Sequence, residues 1–329
     1  MKILICRYGA YGDSIIISPV FRYLKKQGHE IYFHTSERGL QIHEHNPHID
    51  HFVPYETDTI PLEKLTYFWN ELCENIGADR FLNFTETIER RLCKIDKIPE
   101  EFNKSQDDRF LDCNKNYYEY TLEYAGIPAT IENLRPELFF DKRTEKNAKK
   151  YLDWDKFNIV FCLIGSGVQK MYPWTPKIIN LLYDMYPDVN CITVGDDRCR
   201  DIESIITDKC IKLSGEIHIL ESLAMTKYAC LVVSPDTGIL HASGCYKTPK
   251  IGLLGHTTIE NITKHFENDY SIEAECHCAP CFRIIGDIHK HCPIDPITGA
   301  NLCMGKGINP LEVLDSIQIV YQKWKDRRR

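Results

Sequence analysis

No stretch of this sequence approaches the ~18–20 consecutive apolar residues that a membrane-spanning helix needs, so no such span is expected. The apolar opening, Ile3 to Cys6, is too short for the hydrophobic part of a signal peptide and runs straight into a glycine-bearing turn. The cytoplasm is therefore the expected location. Positive charge is not in surplus: 40 basic against 47 acidic residues leave a net of −7, and no overall field draws the chain to nucleic acid or an anionic membrane. The one dense basic run, residues 323–329, reads more plainly as a solvated terminus than as an attachment point. A Gly-x-Gly-x-x-Gly fingerprint is missing as well. Gly9 and Gly12 stand alone after the first strand, which makes a dinucleotide-binding dehydrogenase the lesser reading.

Cysteine, by contrast, is abundant, with fifteen in 329 residues. Ten are scattered, often inside apolar runs (Cys6, Cys162, Cys191, Cys230), where a reducing compartment makes them small core residues rather than a disulfide framework. The other five are clustered. Cys278-x2-Cys281-x10-Cys292-x10-Cys303, with Cys276 and His277 just upstream, suits a tetrahedral site for zinc or iron. Free or disulfide-paired thiols are the competing reading. His43, His45, His48 and His51 also crowd together, but their spacing fits no common ligand pattern and reads as a surface loop.

The chain is organised around residues 229–244. The run Ala229-Cys230-Leu231-Val232-Val233 is short, apolar and β-branched, as in a buried parallel strand. It stops at Ser234-Pro235-Asp236-Thr237-Gly238 and resumes as a helix-compatible segment containing His241. A strand feeding a helix N-terminus presents unpaired N–H groups that suit a phosphate, although an ordinary capped turn looks the same. A second strand, Pro249 to Leu254, ends in Gly255-His256-Thr257-Thr258. Two neighbouring strands ending in such loops point to a nucleotide site at the carboxyl edge of a sheet.

Asp236-Thr237-Gly238-x-x-His241, followed by Lys247-x-Pro249 and Leu254-Gly255-x-Thr257, resembles the signature of the heptosyltransferase family of inverting GT-B glycosyltransferases. The opening, Lys2 to Asp13, resembles that family's first strand and Gly-Asp loop. The resemblance implies an α/β fold of two Rossmann-like parallel-sheet domains facing a cleft. Boundaries of 1–145 for the acceptor side and 146–309 for the nucleotide-sugar side are expected, with a C-terminal helix, 310–329, returning to the first domain. It also implies a sugar, heptose-like, moved from a nucleotide diphosphate donor of the ADP-heptose kind to a saccharide or protein hydroxyl. Asp13 matches the general base; its plainer role is a helix cap. Gly9 and Gly12 let the acceptor approach, and residues 85–91 lie where they would meet it. Lys170, Asp236, Thr237, Gly238, Gly255 and Thr257 match donor-binding positions. His241 orients the sugar or the loop, with a packed core histidine as the alternative. No catalytic metal is implied. The relatives nearest in the cysteine cluster, those acting on autotransporter proteins, imply a four-cysteine iron site at Cys278, Cys281, Cys292 and Cys303. Two other functions stay open at this point: a related nucleotide-sugar transferase, including one acting on a hydroxylated nucleobase, and a metal-knuckle scaffold with no activity.

Overall fold

The computed structural model describes residues 1–328 except 58–59, 86, 88–92, 95–98 and 286. The strands among the described residues are β1 (Lys2–Arg7), β2 (Glu30–Thr35), β3 (His51–Pro54), β4 (Arg80–Asn83), β5 (Cys93–Lys94), β6 (Phe157–Cys162), β7 (Val189–Val194), β8 (Ile211–Lys212), β9 (Leu231–Pro235), β10 (Lys250–Leu254), β11 (Ile272–Glu273) and β12 (Arg283–Ile284). Every ladder between them is parallel. The chain divides into two compact units, Met1–Ile88 with Tyr117–Phe139, and Glu89–Asn116 with Phe140–Arg329. Each holds its own parallel sheet flanked by helices, as the α/β expectation required. No helix among the described residues is long and apolar enough to cross a membrane.

The first unit's sheet has the order β3-β2-β1-β4. Ile3, Leu4, Ile5 and Cys6 of β1 are wholly buried, so this strand is covered on both faces and needs no polar alternation. The segment after β1 forms two helices, Tyr11–Ile16 and Ser18–Lys26. Pro19 lies in the first turn of the second, where its missing N–H costs nothing and where it cannot continue the first.

The histidine cluster is not uniformly a surface loop. His45 and His51 are exposed, but His43 ends the helix Glu37–His43 and is buried. Its ring packs edge-on against Phe21 and Phe33. Its Nε2 donates to the Ser14 carbonyl at 2.8 Å, and its Nδ1 lies 3.2 Å from Asn46 Nδ2, so the neutral tautomer satisfies both nitrogens. A lone histidine at helical spacing with the apolar Ile42 beside it is a core position that counting histidines misses.

The second unit's sheet has the order β11-β10-β9-β6-β7-β8. The chain runs outward from β6 through β7 to β8, then crosses back to β9 on the other side. The order therefore reverses between β6 and β9, and a crevice opens at the carboxyl ends of strands where such a reversal occurs. Residues 89–116, placed with the first domain from sequence, belong to this unit. Short β5 pairs with β12, Arg109 Nε donates to the Cys281 carbonyl at 2.9 Å, and Asn261 Nδ2 donates to the Cys113 and Lys115 carbonyls. The C-terminal helix, Pro310–Asp326, was expected to return to the first domain; the contacts that bury it are instead to the second unit. Val313, Ile317, Val320 and Tyr321 recur at helical spacing and join the core around Phe157 and Ile179. Burial of each aliphatic side chain contributes ~1.5–3 kcal/mol, and Tyr321 and Lys325 both reach the Asp188 carboxylate.

Burial pushes the His43 imidazole down to about 4, with the Ser14 carbonyl opposing only in part. Between that value and the ordinary 6.5 the unfolded chain binds a proton that the folded chain refuses. This contribution to stability is complete above pH 6.5 and falls as pH drops toward 4, by up to about 3 kcal/mol. The stability advantage of wild type over His43→Gln, measured by urea unfolding, is expected to shrink as pH falls from 7 to 4.5. A difference independent of pH contradicts the buried neutral assignment.

Candidate active site

In the first unit, the last residue of β1 organises the following loop. Arg7 is wholly buried, its Nη1 donates to the Phe84 carbonyl at 2.7 Å just past β4, and its own carbonyl accepts from Thr35 Oγ1 at 2.7 Å. These contacts aim Nη2 at Asp13, 2.8 Å from Oδ1. The other carboxylate oxygen accepts the Ala10 N–H at 2.7 Å. Asp13 is thus the third residue of the helix, with Ala10 at the cap position, and not the cap itself. Gly9 has φ of +131°, and a Cβ there would stand 2.5 Å from Asp13 Oδ2. Only glycine serves both demands. Gly12 is buried in the helix's first turn. Of residues 85–91, 86 and 88–91 lie outside the described residues.

In the second unit, four side chains meet at the β6–β9 reversal. Lys170 ends the turn Val168–Lys170 after β6, and Asp236 directly follows β9. Lys170 Nζ is 3.0 Å from Asp236 Oδ2 and His241 Nε2 is 3.3 Å from Oδ1. His256 Nε2 faces Oδ2 from 3.7 Å. Burial alone would push the Asp236 carboxyl up, but the Lys170 charge and the hydrogen bond from His241 outweigh it and hold it far below the usual carboxylate range. Burial pushes the His256 imidazole down to about 4, helped by Lys170 and opposed by Asp236. Gly165 makes room for the lysine, because a Cβ there would meet Lys170 Cδ at 2.8 Å and Thr237 Cγ2 at 3.0 Å.

Thr237 caps the helix Gly238–Gly244, with Oγ1 accepting the Ile239 N–H at 3.2 Å. That helix has only seven residues, so the Lys170 ammonium, not a helix dipole, is the main positive charge present. Gly255 and Thr257 follow β10. A Cβ on Gly255 would strike Met304 Sδ at 2.7 Å, so this glycine admits the cysteine-rich segment against the strand end. Thr257 is 1% exposed and its hydroxyl has no hydrogen-bond partner among the described residues. The structure therefore gathers Lys170, Asp236, Thr237, Gly238 and His241, five of the seven expected donor-side residues, with Gly255 and Thr257 following the neighbouring strand β10. It adds His256, which the sequence offered only as part of a loop of small residues. Its signal lay in topology: parallel neighbours end at one sheet edge, so the residue after Gly255 sits beside the residue after Pro235.

The clustered cysteines fall in the segment that follows β11. The thiols of Cys281, Cys276 and Cys292 all act electrostatically on Cys303, so they share one neighbourhood. Yet among the described residues no three His, Cys, Asp or Glu side chains stand arranged to hold a metal. Cys278 lies 3.5 Å from the sulfur of Cys276, a residue outside the expected four, and Cys303 accepts from Asn301 Nδ2 at 2.7 Å.

The family model of glycosyltransferase family 9 (heptosyltransferase) matches residues 115–291, more than half of the chain. The chain belongs to this family. As a family 9 glycosyltransferase it is 22% identical over 293 residues to lipopolysaccharide heptosyltransferase 1 of Campylobacter coli, covering 78% of this chain and 84% of that one. Among solved structures it is similar to E. coli ADP-heptose lipopolysaccharide heptosyltransferase II, with a TM-score of 0.67 at 15% identity over 99% of this chain and 100% of that chain. It is similar also to TibC of enterotoxigenic E. coli, described as a dodecameric iron-containing heptosyltransferase in complex with ADP-D-β-D-heptose. There the TM-score is 0.62 at 10% identity, over 98% of this chain and 76% of that chain. These likenesses bear out the GT-B fold expected of two parallel-sheet α/β units.

Proposed function

We propose that this glycosyltransferase moves a heptose-like sugar from an ADP-type nucleotide diphosphate donor to an acceptor hydroxyl, with inversion at the anomeric carbon. The observation that carries the reading is the Lys170–Asp236–His241 constellation at the strand reversal of the second unit. A half-buried ammonium, fixed by a buried carboxylate and with the Thr237 hydroxyl on the adjoining turn, is suited to the charge that develops on a departing diphosphate. Lys170 and Thr237 hold the phosphates, with Gly238 and the Gly255–Thr257 loop completing the cradle. Asp236 holds Lys170, and His241 holds Asp236. The likeness to E. coli ADP-heptose lipopolysaccharide heptosyltransferase II and to TibC, seen in complex with ADP-D-β-D-heptose, supports the choice of nucleotide and sugar.

Asp13, in the first unit, is the base that takes the acceptor's proton. Arg7 and the Ala10 N–H fix both its oxygens, which gives a proton acceptor a defined direction at little entropic cost. Removing the proton on the face opposite the leaving phosphate accounts for inversion. The acceptor is a saccharide or a protein hydroxyl, and Gly9 and Gly12 lie on the loop it approaches. Thermal-shift and calorimetric screening of ADP, GDP, UDP and CMP should give binding to ADP, unchanged in Asp13→Asn, while transfer by that variant drops at least a hundredfold. Binding of none of the four, or equal loss of ADP binding in Asp13→Asn, would sink the assignment.

A structural metal belongs to the same proposal. Thiolates suit zinc or iron, and the likeness to TibC, an iron-containing heptosyltransferase, supports a metal here. Cys278, Cys281, Cys292 and Cys303 would hold the ion after local repacking, with Cys276 within reach. With four protein ligands the ion clips the loop together and takes no part in transfer. Elemental analysis of protein purified without chelator should find one zinc or iron per chain, lost in Cys281→Ser; protein free of both metals rules the clip out.

A further inference from the structure

Three donor groups surround one carboxylate, and only two of them hold it. Lys170 and His241 take one oxygen of Asp236 each, at 3.0 and 3.3 Å. His256 faces the lysine's oxygen from 3.7 Å, beyond hydrogen-bond range. The imidazole is 3% exposed, and its Nε2 is buried with no hydrogen-bond partner among the described residues. Leaving such an atom unsatisfied costs ~1–3 kcal/mol. An apolar side chain of similar volume would avoid that cost, so the present arrangement leaves a contact in reserve.

We propose that Asp236 changes partner when a nucleoside diphosphate binds: the Lys170 ammonium turns to the phosphates, and His256 closes on Oδ2 and takes one proton from solvent. The inference rests on the donor-site reading of this constellation. It makes His256 a positioning residue that keeps Asp236 compensated while its lysine is engaged. A buried carboxylate deprived of its cation is strongly destabilised, and without a substitute Asp236 would pull Lys170 back from the ligand. Charge is balanced throughout. In the free protein Lys170 neutralises Asp236; in the complex the lysine faces the diphosphate and the imidazolium faces Asp236. The charged groups facing His256 are Lys170 and Asp236, and both changes at these groups favour its protonation. The ammonium moves away, and the carboxylate loses its other partner. His241, on the opposite oxygen, is the rival proton acceptor.

Calorimetric titration of the full chain with ADP at pH 7, in buffers of different ionisation enthalpy, counts the protons taken up on binding. Wild type should take up a substantial fraction of one proton per ADP. His256→Gln should take up none and bind ADP about tenfold more weakly, the loss of one hydrogen bond to a charged group. His241→Gln should retain the uptake. Should His256→Gln fold poorly, nitrogen-15 spectra of histidine-labelled wild type, assigned with His256→Asn, should show the His256 ring passing from neutral imidazole to imidazolium as ADP is added. ADP binding without proton uptake, or uptake that survives in His256→Gln and vanishes in His241→Gln, overturns the inference and leaves the donor-site reading standing. Failure of wild type to bind ADP overturns both.

Discussion

A carboxylate buried at the end of a strand is tolerable only where a cation meets it, and Asp236, 6% exposed, is met by Lys170. Much of the second unit follows from this pair. The lysine must come from the strand beside β9, so the loop after β6 must turn sharply enough to bring residue 170 back to residue 236. Gly165 is required because any side chain there would strike the lysine. Thr237 caps the short helix immediately beyond the carboxylate, which fixes the backbone that carries it. The order of the sheet, reversing between β6 and β9, makes the two loops neighbours. The charge pair therefore stands at the carboxyl edge of the sheet, at the point where the strand order reverses.

The first unit solves a similar problem with a different residue. Asp13 is held by a fully buried arginine whose other contacts run to Phe84 and Thr35, so its position is tied to β2 and β4 as well as to its own helix. The arginine's planar fork suits a carboxylate that must be aimed. The lysine in the second unit differs in kind: its ammonium meets Asp236 as a point charge on a flexible stem.

The strands and their end loops were legible in the sequence because apolar runs that stop at Asp-Thr-Gly or Gly-His-Thr leave few alternatives. Asp236 and His241 were legible in the Asp-Thr-Gly stretch and the segment that follows it, and Lys170 through the resemblance to the family. His256 was not, since its proximity to Asp236 depends on which strands are neighbours, and pairing is not written in local composition. His43 was misread for a related reason: histidines close in sequence were counted together, although helical spacing turned one of them into the core. The C-terminal helix showed its apolar face plainly but not which sheet would receive it. Cysteine spacing located a cluster without specifying which sulfurs pair, because residues two apart in an irregular segment meet as readily as residues eleven apart. Residues 89–116 carry few aliphatics, and their attachment to the second unit runs through Arg109, Gln106 and Asn116 donating to carbonyls, a pattern with no sequence signature.

The central claim is that Lys170 and Asp236 act as one unit on which the carboxyl edge of the second sheet depends. A double-mutant cycle in urea unfolding, with Lys170→Met, Asp236→Asn and the pair together, measures it most directly. Lys170→Met alone is expected to cost about 3 kcal/mol by stranding a buried carboxylate, and the double variant clearly less than the two single losses added. Losses that simply add would contradict the account.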